Sequence, residues 1–105
     1  MPRDFYPRRE ADILGWTSNF RAKIVGGAGA SLGLSPSQIE AHGLAQERFA
    51  VLYSAAQSPT QRTPSVMAAK NTARIALEAI SRQLAGIIGA QPGITTEIRV
   101  SLGLA

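Results

Sequence analysis

The stretch from Thr63 to Gly89 constrains the fold of this chain more than any other part of it. Thr63 offers a hydroxyl to the unpaired N–H groups of a first helical turn. Pro64 follows at the position where a missing N–H costs nothing. Val66, Ala73, Ile80 and Ile87 then recur every seven residues, and Leu77 and Leu84 fall four after Ala73 and Ile80. At about 100° per residue these share one arc, flanked by Ala69, Ala76 and Ile88, with Asn71, Glu78 and Arg82 opposite. The pattern predicts a long, core-facing helix of a bundle.

Two residues depart from it. Lys70 falls at the shoulder of the apolar arc, where we expect its aliphatic stem to cover core while the ammonium reaches water. The sharper alternative is a buried ammonium matched by a carboxylate, in a site or across an interface. Ile75 points away from the stripe, among Ala68, Thr72, Ala79 and Gly86, a nearly uncharged strip of mostly small side chains. A lone surface isoleucine is ordinary. In a strip where another helix can approach closely, it marks a second contact face.

The chain has 105 residues, 45% of them hydrophobic, which predicts one domain. Such a domain buries roughly two-thirds of its unfolded surface. The lack of cysteine removes disulfides, thiolate metal sites and cysteine nucleophiles, and fits a reducing compartment. No apolar run approaches the ~20 residues of a membrane span. The leader MPRDFYPRRE has no hydrophobic stretch behind its basic residues, as a secretory signal requires. Starting at Met1, the chain reads as a complete, cytoplasmic polypeptide. Of the +4 net charge, Arg3, Arg8 and Arg9 crowd the first ten residues, while the other basic residues are spread singly. That is a solvated surface rather than the clustered footprint of a nucleic-acid binder.

Residues 1–8 read as an extended arm, and 9–105 as the helical domain. The arm carries Pro2, Pro7 and two aromatics, Phe5 and Tyr6, expected to dock on the chain's own bundle or on a neighbouring subunit. A first helix is expected from near Arg9 toward Val25, with Ile13, Thr17, Phe20 and Ile24 on one face and Leu14, Trp16 and Val25 widening it. The run Gly26-Gly27-Ala28-Gly29-Ala30 then ends or frays that helix. It is no phosphate loop: its spacing misses G-x-G-x-x-G, it follows a helix instead of a strand, and no G-K-[ST] accompanies it. Ser35-Pro36-Ser37-Gln38 forms a capping box with proline at the first helical position, and Leu34 and Ile39 staple it. The helix it opens carries Leu44, Phe49, Val51, Leu52 and Tyr53 and stops at Ser58-Pro59. The short link to Thr63 makes this helix and the next antiparallel neighbours. After Gly89 and the Pro92-Gly93 turn, Thr95 caps a last short helix, and Gly33 and Gly103 suit left-handed caps.

Chemistry is hard to find. The single histidine, His42, follows Glu40 at a spacing that does not place both on one helix face, and we expect it to be an ordinary, partly exposed side chain. Glu47 and Glu78 lie on adjacent helices, but a carboxylate pair alone supports neither a glycosidase nor a metal site. Gly29-Ala30-Ser31-Leu32-Gly33 has the G-x-S-x-G spacing, but it follows a helical pattern instead of the strand that a nucleophile elbow requires. The alternative function is nucleic-acid binding by a degenerate helix-turn-helix near 84–100, suggested by Leu84, Ala85, Gly89 and Ile98. It places Thr95 where an aliphatic belongs and offers only Arg99 and Glu97 as charges on the reading helix.

The sequence resembles a group of short helical proteins from environmental bacteria. The likeness rests on Trp16…Asn19-Phe20, Gly33-Leu34-Ser35, Arg62-Thr63-Pro64, Ala68-Ala69-Lys70-Asn71, Ala73-Arg74, Thr95…Arg99 and Leu102-Gly103-Leu104. It implies a helical N-terminal module, extended in relatives by a Pro-rich, β-sandwich tail, and it brings no biochemistry.

The expectation is an all-α, up-and-down bundle of three long helices plus a short C-terminal fourth. Its expected role is a structural, self-assembling module, homo-oligomeric or a filament or shell subunit. No catalytic residue, cofactor or metal is expected. The interface candidates are Phe5, Tyr6, Ala68, Lys70, Thr72, Ile75 and Ala79.

Overall fold

The computed structural model describes residues 4–25 and 27–104. Among these the chain is all-helical: α1 (Glu10–Ile24), α2 (Gly27–Ser31), α3 (Pro36–Gln57), α4 (Pro64–Gly89) and α5 (Thr96–Ser101). There are thus five helices where four were expected. The extra one, α2, is the five-residue turn built from the glycine run. A Cβ at Gly29 would stand 2.2 Å from the Ile24 carbonyl oxygen and 2.4 Å from Ile39, so only glycine lets the chain fold back this tightly between α1 and α3.

The ends of the helices follow local chemistry. Ser35 accepts from the Gln38 N–H at 3.2 Å while the Gln38 side chain accepts from the Ser35 N–H at 2.8 Å, completing the capping box. Thr63 and Thr95 cap α4 and α5 through the N–H groups of Val66 and Ile98. Gly33 and Gly103 hold positive φ values of 88° and 78°. Each lies in the same closing motif, Leu34 N–H to the Gly29 carbonyl in one case and Leu104 N–H to the Arg99 carbonyl in the other.

The antiparallel pair α3–α4 forms the floor of the molecule. The arm, α1 and α5 cover one side of it. Ile13, Thr17, Phe20 and Ile24 are all buried, the face expected of α1. One core cluster joins Phe20, Ile24, Leu34, Leu84, Ile88 and Leu102, and a second joins Tyr6, Ile13, Phe49, Ala73 and Leu77. The backbone measures 48 × 33 × 17 Å, a slab about two helix layers thick. No helix among the described residues is long and apolar enough to cross a membrane.

The buried stripe of α4 is rotated from the expected one. Lys70, Ala73, Leu77, Ser81, Leu84, Ala85 and Ile88 are buried, whereas Val66, Ile80 and Ile87 are half-buried and Ala76 is exposed. The helix is covered on two sides, by α3 and by the arm, and the centre of burial falls between them. Polar Lys70 and Ser81 therefore sit where the apolar count places the margin. On α3 only His42, Phe49 and Ala56 are buried, at a strict interval of seven. Phe49 is the large apolar anchor of that row, and Phe49→Ala is expected to lower unfolding free energy by about 3–5 kcal/mol in a urea titration.

Candidate functional site

The polar groups that the structure buries are the first place to look for chemistry. His42 is fully buried, contrary to the partly exposed side chain expected from its sequence context. It occupies the row shared with Phe49 and Ala56, so helix geometry turns it inward. Its Nε2 lies 3.3 Å from the Oγ of Ser81 on α4, also fully buried, and its ring packs on Phe20 at 5.2 Å. Nδ1 has no partner. An unpaired lone pair costs less than an unpaired buried N–H, so we assign the proton to Nε2, donating to Ser81.

Tyr6 closes this cluster from the arm. Its ring is buried, its hydroxyl is unpartnered in hydrogen-bond geometry, and Ser81 is the neighbour that most favours its ionised form. Burial, with Glu78 nearby, pushes the phenol up to about 12. Burial, with the Arg21 charge nearby, pushes His42 down to about 4. A histidine beside a serine invites a nucleophile reading, but both side chains are sealed between helices and no carboxylate orients Nδ1. The pair joins α3 to α4 and gives a substrate no approach. Among the described residues no group of three or more His, Asp or Glu side chains is placed to hold a metal.

Lys70 takes the sharper of its two expected forms. The side chain is buried and its Nζ donates to the Glu10 carboxylate at 2.9 Å, while Arg74 reaches the second Glu10 oxygen at 3.6 Å. The carboxylate comes from the first residue of α1, so the pair is internal and Lys70 leaves the interface set.

The arm is likewise held within the chain. Tyr6 packs edge-on against Trp16 at 5.2 Å and Phe5 stacks on the same indole at 5.7 Å. The Arg82 guanidinium lies over both aromatic rings and binds Asp4 at 2.7 Å and Glu78 at 2.8 Å. Arg82 holds the exposed Asp4 carboxyl below its usual range. Tyr6 is therefore also withdrawn as an intermolecular contact, because the core has already buried it; Phe5 is half-buried. Glu78 faces Arg82, and Glu47 is exposed on the outer surface of α3, so the two carboxylates do not form a pair.

The remaining interface candidates lie on the exposed side of α4, away from its buried stripe. Ile75 is 60% exposed, and Ala68, Thr72, Ala79 and Gly86 around it are exposed. α3 also exposes large apolar side chains, which the sequence analysis does not single out. Leu44 and Val51 are 61% and 62% exposed and sit seven apart, turned away from the His42–Phe49–Ala56 row. Their seven-residue spacing is visible in the sequence, where both stand simply as apolar members of the helix with no face assigned.

The 84–100 segment runs from the end of α4 through a turn into α5. Leu84 and Ala85 are buried in α4, α5 is only six residues long, and Thr95 is its cap. Arg99 donates to the Gly89 carbonyl at 3.2 Å. A shallow cleft of about 500 Å³ between α1, α2 and α3 is lined by Val25, Leu34 and Ile39, with Arg21 and Glu40 at its rim. Arg21 there donates to the Ile39 carbonyl at 3.0 Å.

Two outcomes are expected. His42 titrates lower in the fold than its ordinary 6.5, so the native state binds that proton later than the unfolded chain. Its stabilisation is complete above pH ~6.5 and is lost as pH falls toward about 4. At ~1.4 kcal/mol per pH unit the loss is about 3 kcal/mol, and urea titrations across that range will show it. In a second set, Glu10→Gln leaves a buried ammonium short of a charge partner and costs about 1–3 kcal/mol. Lys70→Met, which removes the buried charge, stays within ~1 kcal/mol of the parent in the same titration.

Comparison with protein-family models, with curated proteins and with solved structures finds no match to this chain.

Proposed function

We propose that the chain is a structural, self-assembling module: an up-and-down helical bundle that works as a homo-oligomer in the cytoplasm and catalyses no reaction. One observation carries this reading. Leu44 and Val51 on α3 and Ile75 on α4 are each about three-fifths exposed and point away from the buried rows of their helices. One such side chain is ordinary on a protein surface; Leu44 and Val51, seven apart on α3, together with Ile75 in its strip of small residues on α4, are apolar surface that association would bury. The resemblance to short bacterial helical proteins fits this reading in that it brings no reaction with it.

Nucleic-acid binding through the 84–100 segment stays the alternative. The two readings separate cheaply. Light scattering is expected to show apparent mass rising with protein concentration, and a constant monomer mass up to millimolar protein removes the proposal. Duplex DNA at low salt is expected to migrate unretarded; a retarded band that fades steeply with added salt would support the alternative.

A further inference from the structure

We infer that the cleft between α1, α2 and α3 is a binding site for a small zwitterion with an apolar side chain, an aliphatic or aromatic amino acid. The site is independent of self-assembly. Arg21 stands in the last turn of α1 and Val25 just beyond it. Pro36, Ile39 and Glu40 open α3 at the spacing of one helix face. Buried Leu34, half-buried Ile39, Pro36 and Val25, which is 42% exposed, give the cleft an apolar lining. Its volume of about 500 Å³ falls within the ~300–1,000 Å³ of small-molecule sites.

The charges decide what fits. Arg21 and Glu40 line the same cleft, yet among the described residues neither forms an ion pair, with the other or with a third group. The guanidinium is nonetheless fixed. Its Nη1 donates to the Ile39 carbonyl at 3.0 Å, and a Cβ at Gly43 would stand 2.3 Å from its Cζ. Gly43 lies inside the 22-residue α3, where glycine weakens a helix relative to alanine. What this glycine permits is the close seat of Arg21. With five N–H donors and one bond to a carbonyl, the arginine keeps its charge and most of its donors for another group. A simple carboxylate would match Arg21 but face Glu40, and a simple amine would do the reverse. A neutral apolar molecule would leave both charges unmatched. A molecule carrying carboxylate and ammonium on one carbon answers both, with its side chain laid on Val25, Leu34 and Ile39.

L-Leucine is the probe, titrated into the whole chain and followed by NMR of the valine, leucine and isoleucine methyl groups. The methyl signals of Val25, Leu34 and Ile39 are expected to shift with a Kd of about 1 mM or tighter, the modest affinity that so few atoms supply. Isocaproate, which lacks the ammonium, and isoamylamine, which lacks the carboxylate, are expected to bind at least tenfold more weakly. Glu40→Gln, at an exposed position, is expected to weaken leucine at least tenfold without weakening isocaproate. Gly43→Ala separates binding from folding. Its methyl displaces only the tip of a flexible side chain and favours the helix, so far-UV circular dichroism is expected to be kept while leucine binding falls at least tenfold. Isocaproate binding as tightly as leucine overturns the assignment, as does unchanged leucine binding by Gly43→Ala. Methyl signals that stay in place at ~20 mM leucine, far above the expected Kd, overturn the site altogether.

Discussion

Packing of α3 against α4 sets the terms for the rest of the molecule. These are the two longest helices, and a short link forces them antiparallel. Apolar packing alone leaves some freedom to slide, because one aliphatic contact resembles the next. The His42–Ser81 contact does not, since each group is costly to bury without the other. A polar pair inside a helical hairpin therefore fixes the level at which the helices meet. The depth of Phe49 against Ala73 and Leu77 follows from that level.

The other elements are tied to this floor by groups that sequence alone leaves unassigned. Glu10 opens α1 and holds Lys70, the cation buried in the floor. Asp4 binds Arg82, whose guanidinium also covers the aromatic pair of the arm. At the other end, the carbonyls of Ser101 and Gly103 accept from Asn19 and Trp16 of α1, satisfying groups that the short α5 leaves open. Each contact spans more than fifty residues of sequence. Together they make one body of a chain whose individual helices are weakly amphipathic.

Local signals were legible where one residue type has one strong use. The caps at Ser35, Thr63 and Thr95, the left-handed glycines and the inward face of α1 follow from short-range chemistry, and the structure has each of them. Readings failed where burial depends on what covers a helix from the side. The stripe of α4 was drawn through Ile80 and Ile87, but the arm moves it toward Ser81 and Ala85. A lone histidine outside any ligand pattern reads as partly exposed, whereas the interval of seven from His42 to Phe49 and Ala56 sets it in the buried row. Lys70 was given to solvent because its partner lies sixty residues away, at the first residue of another helix. For α2 the glycine-rich run predicts an ended or frayed helix, since it lacks propensity; the close approach at Gly29 shapes it into a separate turn.

The indole of Trp16 has a consequence beyond packing. Phe5 and Tyr6 lie against it from the beginning of the described chain, Phe20 stacks on it at 5.0 Å, and its N–H reaches the Gly103 carbonyl at 2.9 Å. A side chain at Gly103 would stand 2.7 Å from that nitrogen, so the approach depends on glycine. It is also the chain's sole tryptophan. The protein therefore carries one intrinsic fluorophore at the junction where its opposite extremities converge, and detachment of either would register in the colour of its emission.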